Sequence, residues 1–151
     1  MQGFSYLSTA NDLLEKLIHD LNLLKAEPGN AYLAFNMLVT AEHLPDWYYP
    51  GNEHKRDRKR LREENAILAI CSHVANGAKH FRVEASHHQS VREVTRNGVY
   101  GEVFGHTFGQ VFGGELVIDL KCDAEQAFGA TMNAVELGER LVRFWSQVLS
   151  N

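Results

Sequence analysis

Residues 65–81 read NAILAICSHVANGAKHF, and this stretch sets the terms for the rest of the chain. Ile67, Ile70, Cys71, Val74 and Ala78 recur at helical spacing and make one apolar stripe. A helix with such a stripe is stable only when other elements cover it, so the flanking sequence must supply them. The same stretch ends in a polar cluster, His73, Asn76, Lys79 and His80. Spacings of three, four and seven residues put His73, Asn76 and His80 on neighbouring faces of one helix. A helix that served only as scaffold would not need so many hydrogen-bonding groups together.

The covering elements lie on both sides. Thr9 or Asn11 can cap a first helix, with Asp12 and Glu15 in its opening turn, and Leu14, Leu17, Ile18, Leu21 and Leu24 form its apolar stripe. Pro28-Gly29 stops it. Asn30 caps a second helix, AYLAFNMLVTAEHL, in which Tyr32, Phe35, Leu38, Val39 and Leu44 are available for burial. Pro45 has no N–H and clashes with the preceding turn, so a kink or restart is expected at Pro45-Asp46-Trp47. After the turn at 49–52, the basic run KRDRKRLR leads into the third helix already described.

Residues 82–122 lose helical spacing. An aromatic-glycine pair recurs at 100/101, 104/105, 108/109 and 112/113, and glycine at that density argues against helix, at about 1 kcal/mol each. As extended chain, Tyr100, Phe104, Phe108 and Phe112 would share one face, either plugging the helices or presenting an edge to a second copy. Asn97-Gly98 is a hairpin signal, so strands are expected over Val91 to Thr95 and Val99 to Leu120, broken at glycines. Asp123 and Gln126 then suggest a capping box opening a final helix, striped by Phe128, Met132, Val135, Leu141 or Val142, Trp145 and Val148. The expected fold is mainly α (α+β). It is a single domain over 1–151, a four-helix bundle with a β-hairpin inserted between the third and fourth helices.

Composition narrows the function classes. No apolar run approaches the ~20 residues of a membrane span, and the first residues lack the basic-then-apolar pattern of a signal peptide. Cys71 and Cys122 are too few for a disulfide framework, so reduced thiols and a cytoplasmic location are expected, with Cys71 as a small core residue. His73, His80, His87, His88 and Cys71, joined by His43 or Glu42, contain metal-ligand types but not the HExxH or paired-histidine spacing, so no metal or other cofactor is expected.

The net charge of -4 conceals a polarity. Six of the 15 basic residues fall within 55–62, with Asp57 the one acid among them. Lys55, Arg56 and Arg58 in that segment could hold phosphates of RNA or a nucleotide, with Trp47 just upstream as a stacking group. A solvated helix start is the plainer account of the same charge.

Chemistry, if present, would centre on His80 beside Lys79: the imidazole moves a proton and the ammonium steadies a phosphoryl oxygen. The layout of Asn76-x-x-x-His80 on the third helix of a four-helix bundle resembles the HEPN (higher eukaryotes and prokaryotes nucleotide-binding) group of helical domains. Segments 35–47 and 75–81 also look like those of small bacterial and phage proteins, a resemblance that brings no activity with it. The HEPN resemblance implies metal-independent ribonuclease chemistry, with His80 as acid or base, Lys79 and His73 on the phosphate, and Asn76 orienting. HEPN ribonucleases carry an arginine shortly before the histidine, where this chain has His73, Val74 and Ala75. Against that stands a structural role, in which Asn76, Lys79 and His80 cap the helix and tie it to His43 and Asp46. The leading expectation is therefore a non-catalytic interaction or accessory protein that self-associates as a dimer. The ribonuclease, or RNA- or nucleotide-binding protein, is the alternative.

Overall fold

The computed structural model describes residues 6–80, 90–97 and 114–150, with 78–80 and 96–97 described by backbone alone. Helix α1 (Ala10–Ala26) starts where Thr9 and Asp12 cap each other: the Asp12 N–H donates to Thr9 Oγ1 at 3.1 Å, and the Thr9 N–H to Asp12 Oδ2 at 2.8 Å. The Ser8 N–H also donates to Asp12 Oδ2, and these bonds, led by the Ser8 one, hold the Asp12 carboxyl below its usual range. Helix α2 (Ala31–Tyr48) is capped by Asn30, whose side chain accepts from the Tyr32 and Leu33 N–H groups. Of the two outcomes expected at Pro45, a kink or a restart, the restart does not occur. The proline ring is fully buried in the core, and the ladder resumes with the Tyr49 N–H on the Pro45 carbonyl at 3.0 Å. Burial of the ring offsets the hydrogen bond that proline cannot make.

The basic run forms a helix of its own, α3 (Lys55–Glu64), after a 3-10 turn at Asn52–His54. Asn65 is extended and separates it from α4 (Ala66–His80). The Asn65 side chain donates to the Leu61 carbonyl at 2.8 Å, closing α3, while its own carbonyl accepts from Leu68 and Ala69 to open α4. One residue therefore turns the chain where continuous helix was expected.

Beyond α4 the described chain forms β1 (Val91–Asn97) and β2 (Glu115–Leu120). Then come α5 (Cys122–Phe128), β3 (Thr131–Asn133) and α6 (Ala134–Leu149). The strands make an antiparallel sheet in the order β1-β2-β3. Val94 sits opposite Ile118 and Asn97 opposite Glu115, so β1 and β2 are joined through 98–114 and not by a two-residue turn at Asn97. Gly98 and the aromatic-glycine repeat from Tyr100 to Gly113 lie outside the described residues. The expected final helix is divided. Lys121 precedes α5 without a side-chain cap bond, Gly129 at φ +90° ends it, and Asn133 caps α6 by accepting from the Glu136 N–H at 2.7 Å. The apolar spacing across 128–148 hides this break, because Met132 is buried equally well from a strand.

The molecule is thus mainly helical with a small antiparallel sheet, and among the described residues it has six α-helices where four were expected. α2 packs on α1, α4 and α6, α6 also packs on α1 and α4, and α6 meets β2 and β3. Leu17, Leu24, Met37, Leu44, Ile70, Ile118, Leu137, Leu141 and Trp145 are fully buried. Each such side chain contributes about 1.5–3 kcal/mol. Gly138 lets α6 approach closely, since a Cβ there would stand 2.7 Å from Leu21 Cδ1 and 3.2 Å from Met37 Cε. One polar network crosses the α1–α2 contact. Thr40 Oγ1 donates to Asp20 Oδ2 at 2.7 Å, and Lys16 Nζ reaches both at 2.8 and 2.5 Å. Among the described residues, no helix is long and apolar enough to cross a membrane.

Candidate functional site

Two surfaces flank α4, and the sequence-nominated residues divide between them. Ser72 and Asn76, one turn apart, face α2 and α3. Asn76 Nδ2 donates to the Ser72 carbonyl at 2.7 Å and to Ser72 Oγ at 3.3 Å, and Ser72 Oγ donates to Glu42 Oε1 at 3.2 Å. Arg62 Nη2 reaches the same carboxylate oxygen at 3.2 Å, the Glu42 carbonyl at 3.2 Å and Asp46 Oδ2 at 3.6 Å. Arg58 Nε holds Asp46 Oδ1 at 2.9 Å, and its Nη1 donates to the carbonyls of Tyr49 and Gly51 at 2.6 Å. The seam is a charge-assisted lattice that docks α3 against α2. Arg62 Nε is buried there without a hydrogen-bond partner among the described residues.

His73, one position beyond Ser72, faces the sheet instead. Its Nδ1 accepts from the Val91 N–H at 3.1 Å and lies 3.3 Å from Ser90 Oγ. A ring nitrogen that accepts an N–H is unprotonated, so the neutral imidazole carries its hydrogen on Nε2. His73 thereby fastens β1 to α4, and His73 and Asn76, expected on neighbouring faces, are held by different elements. The side chains of Lys79 and His80 lie outside the described residues, as do His87 and His88. His43 is exposed on α2, and Trp47 is half-buried, packed on the core. Asp46 binds Arg58 and Arg62, and the expected tie from Lys79 and His80 to it falls on side chains outside the described ones. No group of three or more histidine, cysteine, aspartate or glutamate side chains converges as a metal site among the described residues.

The basic segment changes meaning in the same way. Arg58 and Arg62 are committed to the seam, and Lys59 and Arg60 lie 3.6–3.9 Å from Asp57, Glu63 or Glu64. Lys55 and Arg56 are exposed at the start of α3, beside a stack of Tyr49 on His54 at 5.7 Å. What reads as a cationic run in one dimension is largely a set of internal pairs in three.

On the His73 side lies an open groove of about 710 Å3 between α2, α4, β1 and the start of β2. Leu38, Val74 and Leu116 are among the residues that line it, as are Tyr32, Phe35 and Val94, exposed by 84%, 41% and 44%. Tyr32 and Phe35 were expected to be buried; α2 turns them outward because its buried positions are Ala34, Met37, Leu38 and Ala41. Arg92 and Glu93 stand on the β1 wall. The register shift between Val91 and Glu93 marks a bulge there, a signal that no sequence pattern carries. Ser72 and Arg62 were likewise missed as site residues, and Glu42 was weighed only as a metal ligand, though Ser72 stands four residues before Asn76 and could have been paired with it by helical spacing. Comparison of the chain with protein-family models, with curated proteins and with solved structures finds no match in any of the three.

Proposed function

We propose that this protein is a non-catalytic interaction module that self-associates, built on a core of α1, α2, α4 and α6 with the β1–β2 pair set between α4 and α6. The observation that carries the reading is the groove. Three large hydrophobic side chains stand exposed around one concave surface, a concentration that marks an interaction site, whereas exposed hydrophobics scattered singly need no explanation. The described polar groups around α4 support it from the other direction. His73 accepts a backbone N–H, Asn76 is bonded within its own helix, and Asp46, Arg58 and Arg62 neutralise one another. Groups so engaged give up structural bonds if they turn to a substrate.

Sedimentation velocity over a concentration series tests the association: a species of twice the chain mass is expected at micromolar concentration, and a monomer throughout overturns the reading. Incubation with a mixed RNA pool tests the absence of catalysis. Equal lack of cleavage by the wild type and His80→Ala is expected. Cleavage that disappears in His80→Ala would restore the HEPN-like ribonuclease.

A further inference from the structure

We infer that the groove is the seat of a second copy of this chain, in a two-fold arrangement where Arg92 of each copy pairs with Glu93 of the other. This rests on the self-association reading and adds the surface and its orientation. Arg92 and Glu93 are adjacent, exposed and of opposite charge, and neither forms an ion pair among the described residues. That sets them apart from Lys16, Lys25, Arg58, Arg62 and Arg140, each of which holds a carboxylate of its own chain.

A two-fold axis brings one patch against itself, so whatever residue i does to residue j, j does to i. Neighbouring charges of opposite sign are the simplest self-complementary pattern on such a patch. The reciprocal pairing of adjacent residues sets both ion pairs next to the two-fold axis, and Tyr32, Phe35 and Val94 supply apolar surface beside them. The charges also select against other occupants. An acidic peptide meets Glu93 and a basic one meets Arg92, whereas a second copy satisfies both.

Sedimentation equilibrium of Arg92→Glu, Glu93→Arg and their equimolar mixture tests this. Each single variant places like charges in contact twice per dimer, so its dissociation constant is expected to rise at least tenfold. The mixture is expected to recover wild-type association, because one variant then presents two acids and the other two bases. Failure of the mixture to recover overturns the two-fold pairing. Two single variants that dimerise as tightly as wild type overturn this interface while leaving self-association standing. A wild type that is monomeric at every concentration removes the self-association reading itself. Circular dichroism confirms that the variants fold. Tyr32→Lys is an independent probe of the same surface: it too is expected to dissociate the dimer, and a Tyr32→Lys dimer of wild-type affinity counts against the groove.

Discussion

The two flanks of α4 are built from opposite materials. On the α2–α3 side, Glu42, Asp46, Arg58, Arg62, Ser72 and Asn76 form a seam in which charge meets charge and carbonyls are bonded. On the sheet side, one imidazole fastens β1, and above it stands an apolar groove with two charges on its wall that form no ion pair among the described residues. Polar residues collected in one place can be structural as readily as functional. In the seam they satisfy one another and hold α3 in position. The surface left with unmet demands is the greasy one, and unmet demand is what a partner can answer.

The comparison is most exposed to failure at Arg62. Arg62→Ala removes the Arg62 cation from a mostly buried Glu42 carboxylate and is expected to cost about 2–4 kcal/mol, read by urea denaturation. A loss under ~0.5 kcal/mol, typical of a solvated surface residue, would show that the seam is not structural. His73→Phe keeps the packing and removes the acceptor of the Val91 N–H, so about 1–2 kcal/mol should be lost, with faster amide exchange at Val91. Unchanged exchange there would detach His73 from the fold and return it to the pool of candidate catalytic groups. Phe35→Glu should leave the denaturation midpoint within the equivalent of ~0.5 kcal/mol, because the ring is already partly in water. A large stability loss would make the groove a piece of core.

The smallest effects belong to the carboxylates far from either flank. Asp12 is lowered chiefly by the Ser8 N–H, and Glu139 chiefly by its hydrogen bond and ion pair with Lys25. A depressed carboxyl adds stability that is complete above its unfolded value, near 3.8 for Asp12 and 4.5 for Glu139, and lost as pH falls through the folded one. Acid titration followed by nuclear magnetic resonance should show the first turn of α1 loosening only below that range. Loosening at pH 5–6 would place the relevant titration elsewhere.

Much of the helical scaffold is legible in the sequence for local reasons. Thr9 and Asn30 can be read as caps, Pro28-Gly29 as a stop, and the leucines of α1 as a buried stripe, because each depends on neighbours within a turn or two. Ile18 is a partial exception, exposed at the stripe's margin. The misreadings cluster where two local signals compete. Pro45 should interrupt a helix, but burial of its ring outweighs one missing bond. Gly129 lies inside an apolar periodicity that a helix and a strand satisfy alike. Asn65 breaks a run in which every neighbour favours helix.

The sequence by itself determined the first two helices, what caps them, and that Ile67, Ile70, Cys71 and Val74 share a buried face. These follow from propensity, capping and periodicity, which act over a few residues. Only the tertiary structure decided what the polar residues are for. Arg62 meets Glu42 from 20 positions away, and the Val91 N–H reaches His73 from 18. Partnership at such a distance is set by how helices and strands stack, and a cation's role is known only when the group opposite it is in place.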